Sequence, residues 1–479
     1  MTTSEAARAL GGGARSTAEA AFSSVSTDSR SLEPGALFVA LRGERFDGHA
    51  FLDAVRERGA AAAMVDEAGA ALLGAASPAK GGALPAIVVG DTRRALGQLA
   101  AGWRGRFDIP LVAVTGSNGK TTVKEMIASV LKAQYGEERT LATAGNFNND
   151  IGLPLTILRL RDTHDCAVIE IGMNHPGETR ELAAIASPTV ALINNAQREH
   201  QEFMASVEEV AHEHGAVFGA LRPGGTAVIN ADDEHAEYWR GVVPGDSEVR
   251  DFSLTHRSAV TARHQLNGFG SDIILDTPEG DVSFTIQVAG LHNVRNAVAA
   301  AAAATAAGAS LEAVALGLSV FSAVKGRLQK KRGLRGALVI DDTYNANPDS
   351  VRAAIDVLAS TPTGAAPPLP GGTTSGERVL ILGDMGEVGD QGPAFHAEIG
   401  RYARERGLTR LLLAGAATHH SAQAFGDGAQ HFDRVEDLLP VAAACDAAGA
   451  AVLVKGSRFM RMERVVDLLT GASNVGEAH

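Results

Sequence analysis

Short apolar runs recur along the chain, separated by stretches whose apolar residues fall at helical spacing, and this rhythm divides the sequence into three α/β units. Runs at 37–41, 60–65 and 86–89 alternate with polar, Gly-containing turns, so residues 26–91 read as a small α/β unit. A second unit opens on Ile109, Leu111, Val112 and Val114, a run rich in β-branched residues that suits a buried parallel strand. Val123, Met126, Ile127, Val130 and Leu131 follow at helical spacing, and further strand-like runs occupy 167–171 and 190–193. A third unit begins near Gly326, with strand-like runs at 337–340, 379–382, 411–414 and 451–454. Strands alternating with helices predict parallel, doubly wound sheets. The Pro-, Gly- and Thr-rich segment 360–377 reads as a mobile surface loop, and no fixed-period repeat is visible.

Between the 109–114 strand and the helix that follows lies TGSNGKTT, comprising Thr115, Gly116, Ser117, Asn118, Gly119, Lys120, Thr121 and Thr122. A glycine-containing turn that opens a helix N-terminus points backbone N–H groups at an anion; Lys120 adds a cation, and the Thr121 hydroxyl suits Mg²⁺. ATP or GTP is the first ligand to expect. One position departs from the common G-x-x-x-x-G-K-[ST] pattern, because Val114 stands where the first Gly belongs.

Composition narrows the function classes. With 479 residues, 45% hydrophobic and 21% charged, the chain suits a soluble globular protein of several domains. A formal net charge of −13 argues against a general binder of nucleic acid or anionic membranes, both of which attract basic faces. Cys166 and Cys445 are too few for a disulfide framework or a thiolate metal cage. The Ala-rich stretch 297–307 is too short to span a bilayer and no secretory leader pattern is found, so a cytoplasmic protein is expected; a monomer is expected as well, though no sequence feature specifies the oligomeric state.

Two strand ends carry candidate chemistry. Glu170 lies in the apolar run 167–171, where an unpaired carboxylate is costly; it is either a Mg²⁺ ligand beside the phosphate loop or an edge-strand residue facing solvent. The loop NNAQREHQEFM after the next strand carries His200, which on residue type alone is as well read as a structural imidazole, since Mg²⁺ prefers oxygen.

TGSNGKTT, AGNFNNDIGLP (144–154), EIGMNHPGE (170–178), GLHNVRNA (290–297), DDTYNANPDS (341–350), LGDMGEVGD (382–390) and VLVKGSR (452–458), in this order, resemble the Mur ligases over about residues 26–466. DDTYNANPDS and LGDMGEVGD are most similar to the branch that joins D-alanyl-D-alanine to a UDP-N-acetylmuramoyl-tripeptide. The resemblance implies an N-terminal domain, 1–107, that holds the UDP end of the substrate. It also implies a central P-loop ATPase domain with a mainly parallel sheet, 108–325, and a Rossmann-like C-terminal domain, 326–479, that closes over ATP and presents the incoming dipeptide. It further implies an ATP-dependent amide ligase working through an acyl phosphate, with Lys120, Glu170 and His200 catalytic and Thr121, Glu170 and His200 linked to Mg²⁺. Asn293, Arg327 and Asp342 would meet the nucleotide. Ser29, Arg30, Arg45, Asn146, Asn148, Asn345, Asn347, Lys455, Ser457 and Arg458 would meet the substrates. The competing expectations are another ligase of the superfamily, adding the third residue or a glutamate to a folate, and a nucleotide-binding regulatory protein that ligates nothing.

One position departs from the family pattern. Many Mur ligases carry a lysine, carbamylated in several, on the helix after the metal-linked His; here His214 stands there. Val207, Val210, His214, Val217, Phe218 and Leu221 share a helical face, so His214 is expected to point inward, either supporting the metal site or serving as a satisfied core histidine.

Overall fold

The computed structural model describes residues 1–43, 46–75, 84–364 and 376–472. Arg45 and residues 365–375 of the Pro- and Gly-rich segment lie outside the described residues. Among the described residues three large α/β sheets follow one another along the chain, as the alternating apolar runs predict, beside a two-stranded ladder of Arg42–Gly43 and Phe46–Asp47. The first has five strands in the order Arg15–Ser16, Ala86–Val88, Ala62–Val65, Ala36–Val39 and Ser24–Ser26, parallel except for the opening pair. A helix absent from the sequence reading, Thr3–Leu10, precedes it, started by a reciprocal capping box between Thr2 and Glu5.

The central sheet has nine strands. Its heart is parallel: Val190–Ile193, Leu111–Thr115 and Cys166–Glu170 lie side by side, so the phosphate loop emerges between the strand ends carrying Glu170 and the 194–204 loop. These strands are buried on both faces, which is why they read as continuous apolar runs rather than alternating ones. One face packs against the helices Lys120–Tyr135 and Leu291–Ala306, where Ala297–Ala304 side chains are buried and small enough to let the two helices approach closely. An antiparallel extension that the sequence reading lacks, Val260–Asn267, Gly270–Thr277 and Gly280–Ile286, widens the sheet; the exposure of much of Val260–Asn267 and the alternating burial of Gly270–Thr277 hide it from a search for apolar runs.

The C-terminal sheet has six strands, in the order Gln329–Arg332, Leu338–Asp342, Ala451–Lys455, Arg378–Gly383, Arg410–Ala414 and Ala429–Phe432, all parallel but the first pair. Separate apolar clusters cover its two faces. Asp341 and Asp342 sit inside the second of these strands rather than beyond it, with Asp341 taken by Lys331 and the Thr343 hydroxyl.

Candidate active site

A cavity of about 1070 Å³ separates the central and C-terminal sheets, and the phosphate loop forms one wall of it. The loop's shape depends on two glycines with positive φ, Gly116 at 128° and Gly119 at 82°. A Cβ on Gly116 would stand 3.0 Å from the backbone nitrogens of Asn194 and Asn195; one on Gly119 would stand 2.7 Å from the side chains of Asn194 and Asn296. The 194–200 loop fastens the turn from below. Asn195 Oδ1 accepts from the Asn118 backbone N–H at 2.8 Å, Asn195 donates to Asn118 O, and Gln197 N–H donates to the Ser117 hydroxyl at 2.8 Å. Thr115 and Gly116 lie behind this surface, while Ser117, Asn118, Gly119, Lys120 and Thr122 reach the cavity.

Behind the loop runs a chain of polar side chains through the core. Lys120 Nζ lies 3.2 Å from Oε2 of Glu199 and also donates to Ser117 O. Oε1 of Glu199 lies 3.0 Å from Nε2 of His214, whose Nδ1 is 3.0 Å from the Thr115 hydroxyl. Burial opposes ionisation of Glu199, but the Lys120 charge and the His214 hydrogen bond outweigh it and hold the carboxyl at about 2. For His214, burial and then the nearby Lys120 push the pKa down despite Glu199, so the ring is neutral. An ionised Glu199 only accepts, which assigns the proton to Nε2 and leaves Nδ1 to accept from Thr115. His214 is fully buried, as its helical face predicts, and its contacts are Thr115 and Glu199.

Glu170 is 2% exposed, not a solvent-facing edge residue. Asn148 Nδ2 donates to its Oε1 at 2.7 Å, while Oε2 is buried without a hydrogen-bond partner yet belongs to a residue lining the cavity. An orphaned carboxylate oxygen is what a hard cation satisfies. Thr121 is buried at the first helical turn, and its hydroxyl accepts from Arg327 at 2.9 Å, linking the phosphate-loop helix to the segment that leads into the C-terminal sheet. The Arg327 guanidinium also lies 4.2 Å from the centre of the Tyr344 ring.

Several contacts join the two walls. Asn347 donates to Asn118 Oδ1 at 3.0 Å. Arg198 pairs with Asp349 at 2.6 Å and with Glu398 at 2.7 Å, both on the C-terminal side. His200 Nδ1 lies 2.7 Å from Glu387 Oε2, off the line of an N–H bond, and His200 holds the Glu387 carboxyl below its ordinary range. Both backbones are left-handed there, with φ of 50° at His200 and 57° at Glu387.

The other expected residues fall into two groups. Asn293 lines the cavity and donates to Ala289 O at 2.8 Å, in the first turn of a helix that starts at Leu291 with Gly290 as its N-cap. Asp342 accepts from Leu328 N and from Lys455 Nζ; burial raises its pKa against the pull of Lys455. Lys455 also donates to Asn345 O, while Ser457 is a buried strut that accepts from Gly386 N and donates to Ala346 O. Asn345 and Asn347 line the cavity; Asn146, Ser457 and Arg458 do not, and Arg458 faces Glu463 at 3.4 Å. Ser29 and Arg30 lie in the N-terminal unit away from the cavity wall, with Arg30 exposed and paired to Asp28. Sequence reasoning missed Glu199, Arg198 and Glu387. The signal within reach was position: Arg198 and Glu199 immediately precede His200 in the same strand-end loop.

Comparison with known proteins accounts for this arrangement. Residues 21–104 match the model "Mur ligase family, catalytic domain", residues 114–304 the Mur ligase middle domain, and residues 326–458 the "Mur ligase, glutamate ligase domain". The UDP-N-acetylmuramoyl-tripeptide–D-alanyl-D-alanine ligase of Escherichia coli is 40% identical over 455 residues, covering 94% of each chain. The enzyme of that name from Haemophilus influenzae is 38% identical, covering 92% of each. A crystal structure of MurF from Acinetobacter baumannii superposes with a TM-score of 0.84 at 32% identity, over 98% of this chain and 97% of that one. With three domain models in register and full-length relatives at this identity, the chain belongs to the Mur ligase family.

Proposed function

We propose that the protein is an ATP-dependent amide ligase that joins D-alanyl-D-alanine to a UDP-N-acetylmuramoyl-tripeptide in peptidoglycan precursor synthesis. The observation that carries the reading is a phosphate loop facing, across one cavity, a second α/β unit tied to it through Asn118–Asn347 and Arg198–Asp349. A nucleotide switch has no use for that second wall, whereas a ligase needs one to bring an amine to an activated carboxyl. In this assignment the central unit binds ATP, the N-terminal unit holds the uridine diphosphate end through residues such as Ser29 and Arg30, and the C-terminal unit presents the dipeptide. Ser117–Thr122 cradle the phosphates, Arg327 and Asp342 reach the nucleotide from the C-terminal side, and Asn293 lies at the base.

The tripeptide's terminal carboxylate attacks the γ-phosphorus of ATP and ADP leaves, giving an acyl phosphate. The dipeptide amine then adds to the acyl carbon and inorganic phosphate departs, leaving the amide. A carboxylate approaching a triphosphate meets like-charge repulsion, so the chain must concentrate positive charge where the oxygens converge. Lys120 does so from the loop, held by Glu199, which His214 and Thr115 orient in turn. The orphaned Oε2 of Glu170 fits Mg²⁺, with the Thr121 hydroxyl beside the phosphates and His200 as a candidate on the opposite loop. When bound, Mg²⁺ would neutralise charge on the phosphate oxygens. Phosphate release from purified protein tests the reading: it should require the UDP-tripeptide and D-alanyl-D-alanine together, and release indifferent to both sinks it.

A further inference from the structure

An amine that must attack an acyl group arrives in water mainly as an ammonium ion, which a carboxylate at the reaction centre can receive through a charge-assisted hydrogen bond. Four carboxylates of the C-terminal unit line the cavity among the described residues: Asp342, Asp349, Asp356 and Glu387. Three are committed. Asp342 is held by Lys455 and Leu328 N, Asp349 by Arg198, and Asp356 by the Tyr402 hydroxyl and Arg406. Glu387 is different: neither Lys nor Arg pairs with it among the described residues, its close contact is His200 Nδ1 at 2.7 Å, and its side chain remains 48% exposed.

The backbone delivers this carboxylate to the centre at a cost. A glutamate in the left-handed region is strained, and Glu387 adopts φ 57° two residues before Gly389 at φ 54°. The turn is pressed against the central unit, since Glu202 N donates to Glu387 O and a Cβ on Gly389 would stand 2.9 Å from Gln201 O. Glu387 therefore protrudes from the dipeptide-presenting unit directly beside the loop that carries Glu199, the partner of Lys120.

From this geometry we infer that Glu387 receives the ammonium group of the incoming dipeptide and sets the enzyme's requirement for a free α-amine. The inference rests on the ligase reading above. The carboxylate docks the ammonium on the C-terminal unit next to the carboxyl activated at Lys120; the ammonium gives up one proton to solvent before its nitrogen attacks, and His200 Nδ1 stays 2.7 Å from the carboxylate. A charge-assisted hydrogen bond of this kind changes affinity by about tenfold to a hundredfold.

The test is steady-state kinetics of wild type, Glu387→Gln and Glu387→Asp, varying ATP, UDP-tripeptide and D-alanyl-D-alanine separately. Glu387→Gln should raise KM for the dipeptide at least about tenfold and leave KM for ATP within about twofold, with Glu387→Asp recovering part of the loss. A dipeptide analogue with hydroxyl in place of its amine supplies a measurement that needs only wild-type protein. As a competitive inhibitor it should bind at least about tenfold more weakly than the dipeptide to wild type, and a folded Glu387→Gln should lose that preference. An unchanged dipeptide KM, a parallel rise in all three KM values, or equal binding of amine and hydroxyl forms to wild type overturns the assignment. A wild-type protein with no dipeptide-dependent turnover overturns the ligase reading, and the role of Glu387 with it.

Discussion

Replacing Glu199 with glutamine removes a charge while keeping the shape of the side chain. The carboxyl is depressed from an ordinary 4.5 to about 2. At ~1.4 kcal/mol per pH unit this corresponds to about 3 kcal/mol, and with the side chain 7% exposed little is lost to solvent screening. The folded value lies below the unfolded one, so the contribution is fully present above about pH 4.5 and disappears as pH falls towards 2, to roughly half by pH 3. His214 acts in the same direction: its lowered folded pKa means that unfolded chains bind protons first as pH drops below the ordinary histidine value. In Glu199→Gln the amide oxygen still accepts from His214 Nε2, but the Lys120 ammonium loses its anion in a partly buried site, a change that costs about 3–5 kcal/mol when no partner replaces it. For a unit of 150–250 residues, about 3 kcal/mol lowers Tm by about 6–12 °C. Calorimetry of the nucleotide-free protein at pH 7.5 should show that drop, and the gap to wild type should narrow as the buffer is acidified. The double variant Lys120→Met with Glu199→Gln leaves no lone charge, so its loss should fall short of the sum of the single losses. A Tm change under about 2 °C, or a gap independent of pH, refutes the proposed support of Lys120 by Glu199.

Other perturbations follow from neighbouring contacts. Glu170→Gln preserves the acceptor for Asn148 but removes the charge at the orphaned oxygen, so the Mg²⁺ concentration for half-maximal activity should rise about tenfold; an unaltered titration contradicts the metal assignment. Gly119→Ala forces a Cβ to 2.7 Å from Asn194 and Asn296 at φ 82° and should weaken binding of a fluorescent ATP analogue by more than about tenfold, where undiminished binding would show that the turn is not the phosphate cradle. Arg198→Ala removes the pairs to Asp349 and Glu398 that join the two walls, so the radius of gyration of the ligand-free protein in solution should increase; scattering identical to wild type argues against that latch.

What the sequence made legible was what depends on neighbours in the chain. The phosphate loop needs Gly116 and Gly119 for backbone reasons settled within a few residues, and buried parallel strands such as Cys166–Glu170 announce themselves as apolar runs. The inward turn of His214 was readable from helical spacing, but its partners were not: Thr115 is 99 residues away, and Glu199 looked like one more charge in a polar loop. Arg198 finds Asp349 across 151 positions, and Glu387 finds His200 only once the central and C-terminal units meet around the cavity. Such pairs carry no periodicity. The hairpins between Val260 and Ile286 escaped for the opposite reason, since an exposed strand such as Val260–Asn267 or an alternating one such as Gly270–Thr277 offers no unbroken apolar run.

The most direct measurement is identification of the ligated product by mass spectrometry after incubating the purified protein with ATP, Mg²⁺, the UDP-tripeptide and D-alanyl-D-alanine, beside Lys120→Ala. A UDP-pentapeptide should form in equal amount with ADP and phosphate in the wild type and not in the variant, which should remain folded. ATP consumed without a pentapeptide, or a pentapeptide made equally well without Lys120, would contradict the proposed mechanism.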